Sequence, residues 1–125
     1  MPGMIETLQQ GWRSSLTSLF GSAENELTVA SPFISQNGAG FLIKALSADF
    51  RKTGTLNFVS DLSPRNVGQG ATDPHSFRTL FDSLSSVRLY HLPRLHAKVY
   101  VRDDKEAIVT SGNLTDGGVF RNFEY

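Results

Sequence analysis

Apolar positions recur along this chain with two different periods, and the switching between them outlines a fold. Over residues 4–20, Ile5, Leu8, Trp12, Leu16 and Leu19 stand three or four apart, so they share one face of a helix. That face needs a partner surface, and Trp12 is expected in the core. Glu26–Ala30 is short and β-prone, and Ser31-Pro32 closes it because proline cannot donate to a ladder. Residues 38–47 carry Phe41, Leu42, Ala45 and Leu46 at helical spacing, and Thr55–Ser60 returns to strand composition. Strand, helix, strand is the pattern of a βαβ crossover. Residues 61–72 hold Pro64, Gly68 and Gly70 without apolar periodicity and read as a long loop. Asp73-Pro74 then starts a helix, with Asp as N-cap and Pro at the first helical position, and Phe77, Leu80, Phe81 and Leu84 line one face. Residues 87–92, 95–102 and 106–111 read as strands, the last two joined by a tight turn at Asp103-Asp104-Lys105.

The expected class is α/β, a mixed β-sheet flanked by helices, in one domain over residues 1–125. The sequence stops at Phe123-Glu124-Tyr125 in what reads as the start of a strand, so the domain is expected to be C-terminally truncated, a fragment of something longer.

Composition narrows the function. Hydrophobic residues make up 39% and charged residues 19% of 125, which favours a packed domain over a disordered segment. Lys and Arg number 12 against 12 Asp and Glu, so any attraction to nucleic acid must come from a local patch. The absence of Cys excludes a disulfide framework, a thiolate metal site and a Cys nucleophile. The first twenty residues lack a continuous apolar run, so neither a signal peptide nor a membrane span is expected; a soluble cytoplasmic protein is the default reading.

The chemistry concentrates near His96. His96 and Lys98 lie two apart on an expected strand, which points both side chains to one face. Asp103 follows at the turn, and the return strand brings Ser111 and Asn113 back toward His96. A cation, a hydroxyl and an amide converging there suit the non-bridging oxygens of a phosphodiester, while the imidazole can attack phosphorus or transfer a proton. Arg88, Arg94, Lys98 and Arg102, interleaved with Tyr90, His91 and Tyr100, make either a basic groove for a nucleic-acid backbone or charges that strand alternation sends to different faces. Arg65 and Asn66 could reach over a substrate or simply belong to a connection. His75 and His91 lack such context and read as surface or edge residues, and Gly117-Gly118 as turn formers.

His96-Ala97-Lys98, then Asp103, then Thr110-Ser111-Gly112-Asn113 resembles the H-x-K-x4-D-x6-G-S-x-N signature of the phospholipase D, or HKD, superfamily. Asn122-Phe123-Glu124 resembles the N-x-E element of its nuclease-like members. Thr110 departs from the pattern, standing where Gly is usual, and a β-branched residue there would narrow the phosphate pocket. The resemblance implies a metal-independent phosphodiesterase that needs no cofactor. Two HKD motifs meet at one site in this family; one His forms a phosphohistidine and the other protonates the leaving group. Only one motif is present here, which implies a homodimer with His96 of each subunit across a shared phosphate.

Within that resemblance Lys98 and Asn113 bind the phosphate, Ser111 adds a hydrogen bond, and Glu124 orients the His96 ring; Asp103 serves mainly local structure. The implied activity is a nuclease acting on DNA, without membrane binding and in some relatives part of a larger multidomain protein. The alternatives are a phospholipid or other phosphodiester hydrolase or transferase, and an inactive nucleic-acid-binding or dimerisation module.

Overall fold

Alternate residues of Glu26–Ala30 are apolar, and Leu27 and Val29 are fully buried, which makes this segment fit for the middle of a sheet. In the computed structural model, which describes residues 12–70, 72–110 and 114, it is strand β1. With β2 (Thr55–Ser60), β3 (Ser86–His91), β4 (Val99–Arg102) and β5 (Glu106–Val109) it forms a five-stranded sheet ordered β3-β2-β1-β4-β5. β1, β2 and β3 are parallel, β4 runs antiparallel to β1, and β5 antiparallel to β4. The sheet is therefore mixed, as the pattern of elements implied.

Register decides which face is covered. Leu27 lies opposite Leu56, Val29 opposite Phe58, and on the other side Val29 lies opposite Tyr100, so all five side chains leave one face. Helices α1 (Trp12–Ser22), α2 (Gln36–Ala45), α3 (Ala48–Thr53) and α5 (Pro74–Ser83) send Leu16, Phe20, Leu42, Phe50 and Leu80 into the same cluster. Phe20 meets Tyr100 edge-on at 5.9 Å and Phe58 meets Phe77 at 5.8 Å. Each such side chain contributes roughly 2 kcal/mol by leaving water, against about 1 kcal/mol for a helix cap. Packing thus sets where the helices lie, and caps set where they begin: Ser35, Ser47 and Asp73 accept from the N–H groups of Gly38, Phe50 and His75.

Several boundaries differ from the sequence pattern. α2 starts earlier than residue 38 because Ser35 caps it, and α3 is a separate helix that the apolar spacing did not indicate. Its signal is polar: Ser47 as cap, Asp49 in the first turn, Arg51 and Lys52 in the last. The expected loop over 61–72 contains the short helix α4 (Pro64–Gly68), begun by Pro64. The expected strand over 95–102 starts only at Val99, because the turn at Leu92–Leu95 intervenes. β5 ends at Val109 rather than Ser111. The readings for residues 4–11, for the Trp12 side chain, for Gly117-Gly118 and for the C-terminal strand fall outside the described residues.

Candidate active site

The antiparallel insertion of β4 positions the site. Because β4 runs against β1, its beginning lies at the edge where the parallel strands β1, β2 and β3 end, the edge at which open α/β sheets bind ligands. His96 and Lys98 precede β4 there; the expectation that both sit within the strand is corrected, since the ladder reaches only as far as Lys98, whose carbonyl accepts from the Thr110 N–H at 3.0 Å. His96 is exposed and Lys98 half-buried, and among the described residues neither side chain has a hydrogen-bond or ion-pair partner. An imidazole and an ammonium group at one sheet edge are the side chains with which a protein engages an anion through charge-assisted hydrogen bonds.

Beneath them lies a buried polar junction that sequence reasoning missed. The Ser31 hydroxyl, fully buried at the end of β1, accepts from the Leu114 N–H at 2.9 Å and donates to the Phe33 carbonyl at 2.7 Å. It is also hydrogen-bonded with the Tyr100 phenol, whose ionisation burial pushes far upward. Leu114 is held a second time, its carbonyl accepting from the Ser35 N–H at 3.1 Å. Thr110 and Leu114 flank Ser111 and Asn113, which, like Asn122 and Glu124, lie outside the described residues. The structure therefore joins Lys98 to Thr110 through the backbone, with His96 two residues earlier in the chain, and ties Leu114 to Ser31 and Ser35.

A second device shapes the approach to His96. Leu92-Pro93-Arg94-Leu95 forms a turn closed by the Leu95 N–H on the Leu92 carbonyl at 3.2 Å, with φ of +63° at Arg94. Pro followed by a positive φ is the type II arrangement, whose third position ordinarily takes Gly or Asn. Asp61, just past β2, accepts the Arg94 N–H at 3.1 Å and the Ser63 N–H at 3.0 Å, and also the Ser63 hydroxyl. The Ser63 side chain first, then these N–H groups, hold the Asp61 carboxyl below its ordinary pKa. His91, an edge residue as expected, accepts the Leu62 N–H on Nδ1 at 2.9 Å.

Asp103 lies at the other end of β4, away from His96. It and Asp104 take positive φ of 50° and 56° in the hairpin turn. Its carboxylate accepts three N–H groups, from Glu24, Asn25 and Glu26, each at 2.8 Å. Burial raises its pKa, but the three donors together with Arg102 at 3.7 Å more than reverse this and leave it below the usual value. These bonds tie the hairpin turn to the start of the neighbouring strand β1 instead of staying within the turn. The continuous basic groove from Arg88 to Arg102 is not formed. Arg102 is tied to Glu106 and Asp103, Tyr100 is in the core, and Arg88, opposite Asn57, is on the face away from the helices. An open cavity of about 600 Å³ lined by Ala23, Glu24, Asp49 and Arg102 lies at this far end, not at His96.

A family model described as "Cardiolipin synthase, PLD-like domain" matches residues 16–125. The chain belongs to this family of PLD-like domains. The fold agrees: the chain is similar to NucT from Helicobacter pylori, with a TM-score of 0.64 and 18% identity, covering 89% of this chain and 72% of that one. No curated protein matches it. As a PLD-like domain it is a phosphodiesterase in general terms, and among the described residues no helix is long and apolar enough to cross a membrane. In this PLD-like domain the motif residues were singled out by their spacing and by the family resemblance. Ser31 and Asp61 were not, because each acts through a partner remote in sequence.

Proposed function

We propose that this PLD-like domain is a metal-independent nuclease that hydrolyses DNA phosphodiester bonds at a site shared by two copies. The observation that carries the reading is the pair His96 and Lys98, without a side-chain partner among the described residues at the edge where β1, β2 and β3 end, in a chain with a single H-x-K motif. Lys98 holds a non-bridging oxygen. A nitrogen of His96 attacks phosphorus, the P–N bond forms as the bond to the leaving oxygen breaks, and the imidazolium of the partner's His96 gives that oxygen its proton. Water then attacks phosphorus, yields its proton to the same neutral imidazole, and breaks the P–N bond. In this reading Asn113 and Ser111 bind the phosphate and Glu124 sets the His96 tautomer.

The test is cleavage of single- and double-stranded DNA in excess EDTA, with His96→Ala in parallel and sedimentation velocity to establish the dimer. Cleavage that survives chelation and is lost in the variant supports the reading. Intact DNA with cleavage of phosphatidyl diesters turns it to the lipid branch, which the family description favours. A catalytically active monomer would remove the shared site.

A further inference from the structure

Arg94 occupies a backbone position that a long β-substituted residue fills at a cost. Its φ of +63° at the third position of a type II turn suits Gly or Asn, and an L-residue held there is strained. The fold supplies a clamp for that conformation: the Asp61 carboxylate on the Arg94 N–H, the Leu92 N–H on the Ser60 carbonyl at 2.9 Å, and the Leu62 N–H on His91. Arg94 is exposed, and among the described residues its side chain has no carboxylate or hydrogen-bond partner. Arg102 and Arg78, by contrast, each have an acidic partner.

Placement gives the strain a use. Arg94 stands two residues before His96, a span of at most about 7 Å of extended chain, comparable to the separation of neighbouring phosphates on one nucleic-acid strand. Asp61 meets Arg94 through the backbone N–H at 3.1 Å and not through the guanidinium, and Asp73 accepts the His75 N–H at 2.9 Å, so among the described residues neither carboxylate is ion-paired with Arg94. We infer that Arg94 is a specificity-determining residue that grips the backbone phosphate adjoining the one held at His96 and Lys98, with Asp61 as its positioning residue. This rests on the nuclease reading and deepens it. A planar guanidinium suits a phosphate bidentately, and an adjoining phosphate exists in a polynucleotide but not in a simple diester.

Binding of a fluorescein-labelled single-stranded oligonucleotide to the full chain carrying His96→Ala, followed by anisotropy over a range of NaCl concentrations, tests this apart from cleavage. Adding Arg94→Ala is expected to raise Kd about tenfold and to reduce the slope of log affinity against log salt by about 0.7. Arg94→Lys keeps that slope while losing part of the affinity. Arg94→Gly binds as weakly as Arg94→Ala, yet its Tm is no lower than that of the parent because the strained φ is relieved. An unchanged Kd and slope in Arg94→Ala overturns the inference. So does an Arg94→Gly protein that loses Tm together with affinity, since Arg94 would then be architectural. Arg94-dependent binding by a protein that cleaves no DNA supports the phosphate contact and refutes the nuclease reading alone; DNA cleavage with Arg94-independent binding does the reverse.

Discussion

Gly38→Ala should destabilise this protein although the residue is helical, where the same change ordinarily gains roughly 0.5 kcal/mol. A Cβ built on Gly38 would stand 2.1 Å from the Leu114 carbonyl oxygen and 2.7 Å from its carbon. Ordinary contact begins near 3.4 Å, so one of the two backbones must retreat by more than 1 Å, and no flexible side chain can absorb the conflict. Leu114 is fully buried, its N–H is on the Ser31 hydroxyl, and its carbonyl accepts from Ser35. Losing both bonds and overpacking the site costs about 3 kcal/mol, a Tm fall on the order of 10 °C for a domain of this size. Gly40, with nothing within 4 Å of its added Cβ, is the control in the same helix. Thermal unfolding of both variants, with EDTA-resistant cleavage measured well below the lower Tm, is the assay. Gly38→Ala should lose cleavage at least about tenfold as Leu114 shifts beside the site, and Gly40→Ala should be as stable as the parent or more so. A Gly38→Ala protein with undiminished Tm and activity would refute the close approach of α2 to Leu114 and the argument built on it.

Other outcomes follow from single groups. Lys98→Ala should lower kcat/KM for a diester about a hundredfold with little change in Tm, because its ammonium serves no partner among the described residues; steady-state kinetics beside thermal unfolding checks this. Asp103→Ala should cost about 2–3 kcal/mol at pH 7 by stranding the N–H groups of Glu24, Asn25 and Glu26, as read by urea unfolding. The folded pKa of Asp103 lies below the unfolded value of about 3.9, so its contribution is present above that value and is lost as pH falls through the folded pKa. The gap between parent and Asp103→Asn should therefore narrow below about pH 4; a gap independent of pH would contradict the assignment. Asp61→Asn should weaken oligonucleotide binding in the same sense as Arg94→Ala but by less, since it loosens the turn without removing the charge, and anisotropy reads it.

Legibility followed the range of each signal. Glu26–Ala30 and Thr55–Ser60 were readable to the residue because alternation and the flanking Ser31-Pro32 and Gly54 are local. Asp73-Pro74 announced α5 for the same reason. α3 escaped because a single buried residue, Phe50, anchors it, and one apolar position has no period. The strand holding His96 was drawn too long because Leu95, Ala97 and Val99 alternate well, while the interruption depends on Asp61 holding Arg94, a bond across 33 residues. His96, Lys98 and Asp103 were singled out by their spacing. Ser31 looked like a strand terminator, and nothing local to it announces Tyr100 or Leu114 as partners.

The three bonds on Asp103 carry a consequence for the motif itself. From Lys98 to Asp103 the chain runs the length of β4, five residues or about 17 Å of strand. Asp103 is moored to the beginning of β1, and Lys98 stands where β1 ends. The fixed interval between the two residues is thus a ruler: it measures the length of the neighbouring strand. One residue more or fewer would slip β4 against β1 and turn Lys98 to the wrong face. An acidic residue at the end of β4 away from His96 and Lys98 then belongs to the same motif because it sets the zero of that scale.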